Sequence, residues 1–199
     1  MIDKNLLKEG DLILFHTRGF SPISMAIRQL TQSFFNHIGL FVEDIDKRGY
    51  VIEALGDGVV KTPIERYLDE KKAILKVVRV KQEAFEDEFE YQRGIGTAIA
   101  RMRTKVGAQY DWWAIVWLAF KYLGKGSYKK AREFVPVGNP LQSREKFFCS
   151  EIVCESFYNV STLNPFMFAG DNYQTCDTTT PKDCGKAKTV RFVTGKDVL

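Results

Sequence analysis

A chain of 199 residues can bury a core as one domain, and 45% hydrophobic with 27% charged residues is an ordinary soluble globular composition. A net charge of +4, from 29 basic and 25 acidic residues, is too mild and too dispersed to point to nucleic acid. Four cysteines do not make a dense disulfide framework, and the longest apolar block, Trp112 to Phe120, is too short to span a bilayer.

The start, Met1-Ile2-Asp3-Lys4, is charged and leads into a strand-like run, not the apolar segment of a secretion signal. The expected compartment is therefore the cytoplasm, with its thiols reduced. Asp11 to His16 reads as a strand opened by Gly10. Ser21-Pro22 starts a short helix to about Gln32, proline suiting the first turn. His37 to Val42 and Tyr50 to Ala54 are strands joined by the polar loop Asp44 to Gly49. Gly56-Asp57-Gly58 turns the chain, Thr62-Pro63 caps a helix ending near Lys71, and Ile74 to Val80 is a fourth strand. Glu83 to about Lys105 is a long helix, acidic early and basic late, as the helix dipole favours. Asp111 to Tyr122 is a second. Gly124 to Arg144 is irregular, with a short basic helix around Lys129. A helix starts near Cys149, Asn164 to Gly185 is loop-rich, and Thr189 to Val193 is a last strand. Strands early and helices late give an α+β class with a mostly antiparallel sheet, in a single domain over residues 1–199.

Cys149 carries the chemistry of interest. Ile152, Val153, Ser156 and Phe157 fall three, four, seven and eight residues after it, on its own side of the helix. The unpaired amides of a first helical turn favour negative charge, which suits a thiolate. The plainer reading is a buried thiol acting as a small hydrophobe. A nucleophilic cysteine needs a histidine, and the chain has two, His16 and His37. On the second strand Ile38, Leu40 and Val42 share one face, and His37, Gly39 and Phe41 the other. Gly39 leaves room for another element to approach. Glu53 is a carboxylate in an otherwise apolar strand, suited to orient an imidazole. His37 and Glu53 share a face only if paired residue numbers sum to an even value, so the hairpin loop must centre on Ile45, Asp46 or Lys47. Each also has a structural reading: a strand-end histidine bonded to backbone, and a strand carboxylate facing water. His16, beside Thr17-Arg18-Gly19, suits a surface or supporting place better.

These segments resemble a family. Gly10-Asp11-Leu12-Ile13, His37-Ile38-Gly39-Leu40 and Ile52-Glu53-Ala54 are similar to successive motifs of NlpC-type papain-like cysteine peptidases. Gly107 to Trp112 resembles their tyrosine segment, and Phe148 to Val153 the segment bearing the nucleophile. The tyrosine and cysteine segments come last here, as in the circularly permuted branch of YiiX-like proteins and relatives of lecithin:retinol acyltransferase. The resemblance implies a permuted papain-like fold. It implies Cys149 as nucleophile, His37 as base, Glu53 as the orienting residue and Tyr110 lining the substrate site. Two positions depart from the pattern: Phe148 replaces an acidic residue and Glu151 a glycine.

The implied activity is hydrolysis of an amide in a peptide, isopeptide or cell-wall peptide through an acyl-enzyme, without cofactor. Two other functions remain in play. One is lipid acyl hydrolysis or transfer at a membrane surface, with Trp112 to Phe120 and the following Lys121, Lys125, Lys129, Lys130 and Arg132 as an interfacial helix; an ordinary core helix is favoured over this. The other is a binding module that has lost its chemistry. Cys154 is read as structural. Cys176 and Cys184 flank a loop and could pair, although a reducing compartment argues against it. Cys149 and Cys154 point their sulfurs apart on one helix, so no metal site is expected.

Overall fold

A computed structural model describes residues 4–17, 33–68, 73–113, 115–116, 145–160, 176 and 179–193. Its strands are β1 (Leu12–Thr17), β2 (His37–Glu43), β3 (Gly49–Leu55), β4 (Gly58–Pro63), β5 (Ala73–Val80), β6 (Gln109–Tyr110), β7 (Lys146–Phe147) and β8 (Val190–Phe192). Its helices include α1 (Glu88–Thr104), α2 (Cys149–Phe157) and α3 (Pro181–Lys186). One six-stranded antiparallel sheet runs in the order β4-β3-β2-β1-β5-β8, while β6 and β7 form a short parallel pair. This is the expected α+β arrangement, with helices packed on an antiparallel sheet.

Alternation along the strands builds two cores. Leu12, Leu14, Ile38, Leu40 and Ile52 face Ala98 and Met102 of α1 and Ile152, Val153 and Phe157 of α2. The opposite face carries Ile13, Phe15, Phe41 and Val51 and is covered by Leu7 and Ile64. With both faces dry, the strands read as nearly continuous apolar runs. Asp11, 1% exposed, joins the strands at their base. Its oxygens accept from Nε and a terminal nitrogen of Arg79, both at 2.7 Å, and from the Lys8 amide at 2.8 Å. The same guanidinium donates to the Leu6 carbonyl at 2.8 Å.

Several expectations change. The turn expected at Gly56-Asp57-Gly58 is present at residues 56–57, but residues 58–63 then form strand β4, and the helix expected after Thr62-Pro63 is only the short 3-10 helix Ile64–Tyr67. Pro63 sits at the last residue of an edge strand, where a missing N–H costs no ladder bond. The long helix begins at Glu88 because the Asp87 side chain accepts the Glu90 amide at 2.8 Å. The loop-rich stretch contains α3, started by Thr180, Pro181 at the first turn and a capping box with Asp183. Residues 112, 113, 115 and 116 are helical, as expected for the second helix. The helices expected at 21–32 and around Lys129 lie outside the described residues.

The cysteine pairing also differs. Cys154 is bonded to Cys176, with Cα atoms 5.3 Å apart, and Cys149 and Cys184 are free and buried. Five residues turn Cys154 about 140° around the helix from Cys149. It lies 3.7 Å from Thr179 Oγ1, beside the chain that follows Cys176. Cys184 instead points into the larger core.

Candidate active site

Cys149 is the first residue of α2. Phe148 before it is extended, and its amide donates to the Glu151 carboxylate at 3.2 Å. Glu151, where the resembling family has glycine, thus caps the helix that carries the sulfur. Ser150 Oγ donates to the Thr179 carbonyl at 2.6 Å. Pairing of Tyr110 with Phe147 and a 3.1 Å bond from the Asp111 amide to the Phe147 carbonyl bring Tyr110 beside the helix start.

His37 is the first residue of β2, paired with Phe15, and their ring centroids are 5.1 Å apart. The β2–β3 hairpin sets Leu40 opposite Ile52 and Glu43 opposite Gly49. Its loop is centred on Asp46, one of the three positions the parity argument allows. Continued one pair, this register sets Gly39 opposite Glu53. A Cβ on Gly39 would come within 2.4 Å of Val51 Cγ1 and 3.1 Å of Glu53 Cβ. The bare glycine therefore lets Glu53 lean across to His37, whose Nε2–H donates to Oε2 at 2.6 Å.

The remaining ring nitrogen, Nδ1, is left for Cys149, which hydrogen-bonds the imidazole. His37 and Glu53 belong to the sheet face of Phe15 and Phe41, whereas α2 packs on the other. The sulfur meets the ring where β2 begins. Cys149 and Glu53 are 2% and 0% exposed, so the cluster is withdrawn from water.

Burial opposes charge on His37, but hydrogen bonds to Cys149 and Glu53 and their charges outweigh it and raise its pKa from 6.5 to about 10. Burial would likewise raise the Glu53 carboxyl. The His37 hydrogen bond and charge, then hydrogen bonds from Tyr67 and Thr62, instead hold it below the usual glutamate value. Burial, with the charges of Cys149, Asp111 and Glu151, pushes the Tyr110 phenol well up.

The four residues singled out in the sequence, Cys149, His37, Glu53 and Tyr110, therefore gather in one place. His16 does not join them: its Nδ1–H donates to the Phe34 carbonyl at 2.6 Å and its ring stacks on Phe34. Sequence reading missed Tyr67, whose hydroxyl donates to Glu53 Oε1 at 2.5 Å, and Thr62 beside it. Had residues 58–63 been read as a strand, Thr62, opposite Val51, would have fallen on the Glu53 face.

A histidine and a carboxylate on early strands, with a cysteine heading a late helix, is the papain-like arrangement in permuted order. Residues 6–124 match the family described as permuted papain-like amidase enzymes, YaeF/YiiX, C92, and the chain belongs to that family. The match includes His37, Glu53 and Tyr110 and ends before Cys149. The chain is also similar to the crystal structure of metalloprotein YiiX from Escherichia coli O157:H7. The TM-score is 0.52 at 23% identity over 94% of this chain and 96% of that one, a likeness of fold. No curated protein matches. Among the described residues no group of three or more His, Cys, Asp or Glu side chains could hold a metal ion. No helix among them is long and apolar enough to cross a membrane.

Proposed function

We propose that the protein is a cysteine amidase acting on a small peptide, isopeptide or cell-wall peptide, with Cys149 as nucleophile, His37 as acid and base, and Glu53 as the orienting carboxylate. One observation carries the reading: a half-buried imidazole stands between the buried sulfur that heads α2 and a buried carboxylate. The Cys149 thiolate attacks the acyl carbon, and the carbonyl electron pair moves to oxygen. The Cys149 N–H, unpaired within its helix, faces that oxyanion. As the C–N bond breaks, the His37 imidazolium gives its proton to the amine. Water then attacks the thioester and returns a proton to His37. The acid leaves, and the thiolate–imidazolium pair is restored. Tyr110 lines the substrate side.

Incubation with candidate amides and long-chain acyl esters, followed by mass analysis of the Cys149 peptide, tests the reading. An adduct from the amides supports it, and no adduct from any substrate that is turned over refutes it. An adduct confined to the long-chain esters would favour lipid acyl chemistry, the reading to which exposed Trp112 and Trp113 near Tyr110 lend support. As to compartment, a bonded Cys154–Cys176 pair favours oxidising surroundings over the reducing cytoplasm expected from the sequence.

The pH dependence follows from His37. Its folded pKa, about 10, lies above the ordinary 6.5, so the imidazolium should persist well into alkaline solution. We expect kcat/KM to fall as pH rises through about 10, and Glu53→Gln, by removing a cause of the rise, to move that limb toward neutral. The same shift stabilises the fold fully below about 6.5, and this contribution is lost as pH climbs through about 10. A pH–rate profile of both proteins checks the direction. A wild-type alkaline limb near neutrality would contradict it.

A further inference from the structure

We propose that Tyr67 is a positioning residue of this site, its hydroxyl holding Glu53 ionised and aimed at His37. The inference rests on the amidase reading and concerns the layer behind it. Glu53 is 0% exposed, so water is no ready partner for its oxygens. Oε2 accepts from His37 at 2.6 Å and Oε1 from Tyr67 at 2.5 Å. With one oxygen tied on each side, the carboxylate cannot rotate away from the imidazole. A protonated carboxyl could keep both contacts only if a partner changed role, so a donating phenol selects the anion.

The phenol is itself fixed. Tyr67 ends the 3-10 turn that begins at Ile64, which is 1% exposed in the smaller core. Its ring stands edge-on to Phe15 at 4.7 Å, and Phe15 in turn packs on His37. Phe15 thus spaces the two side chains that Glu53 bridges. Thr62 hydrogen-bonds both Glu53 and Tyr67, which adds a second hold on the pair. Burial and the Glu53 charge raise the Tyr67 pKa, so the phenol keeps its proton and remains a donor.

The test needs no known substrate. Iodoacetamide labelling of Cys149, followed by mass analysis from mildly acidic to alkaline pH, reports the thiolate–imidazolium pair. Tyr67→Phe keeps the ring and its packing on Phe15 and removes only the donor. Without that donor the Glu53 carboxylate is protonated at a higher pH, and because labelling relies on the Glu53 anion beside His37, the acid limb should move up with it, by about one pH unit for a hydrogen bond to an ionised group. Thr62→Val should shift the limb the same way. A purely structural role would lower thermal stability and leave the limb in place. If wild-type Cys149 labels selectively and neither variant moves the limb, the assignment of Tyr67 is overturned while the amidase reading stands. If wild-type Cys149 does not label in mildly acidic solution, the amidase reading fails and this inference fails with it.

Discussion

Cys149→Ala is expected to lower kcat/KM by about 10⁴-fold or more, the order seen when a covalent nucleophile is deleted, with the fold intact. The substitution removes one sulfur atom at the first residue of α2 and leaves Ile152, Val153 and Phe157 to seat the helix. The Glu151 carboxylate still caps the Phe148 amide, so the helix start survives. The His37–Glu53 pair also survives, and the variant should bind substrate nearly as the parent does. What disappears is the sulfur proposed to form the acyl-enzyme. Turnover of a substrate on which the parent is active, measured beside a thermal melt, checks both halves. Near-parental turnover would move the nucleophile elsewhere.

Asp11→Ala should cost about 3–5 kcal/mol of stability. Asp11 faces Arg79 through two hydrogen bonds of 2.7 Å, and both side chains are nearly inaccessible, at 1% and 9%. Alanine leaves a guanidinium buried without its carboxylate, and Arg79 cannot ionise differently to escape. The Lys8 amide loses its acceptor in the same step. Loss of a pair member is costly because of the charge left behind, so Asp11→Leu with Arg79→Met should recover much of the deficit. Urea unfolding of the single and double variants measures this. A cost below about 1 kcal/mol for Asp11→Ala would place the pair among exposed ion pairs of little worth.

The sequence held most of this site because its parts are local. Cys149 is marked by the apolar stripe behind it. His37 and Glu53 are marked as polar residues in apolar strands, and strand alternation made a shared face conditional on an even-sum hairpin register, which the structure has. The losses have physical causes. β4 was hidden by Thr62-Pro63, a helix-start pattern that an edge strand also accepts at its last residue. With β4 unread, Thr62 was not placed on the Glu53 face, and nothing pointed to the bond from Tyr67, which does lie on a short 3-10 helix, to Glu53. β6 and β7, two residues each, offer no periodicity to read. The Cys154 partner depends on where distant chain returns, which cysteine spacing does not specify. The start of α3 was legible in Thr180-Pro181 and Asp183 but lay among turn-forming residues.

His37 and Glu53 are rooted in the smaller core, and Cys149 in the larger. The contact proposed for catalysis is therefore a seam between two separately packed bodies of side chains. Repacking either body by a few tenths of an ångström, at a residue such as Val51 or Phe157, would tune chemistry without touching a reacting group.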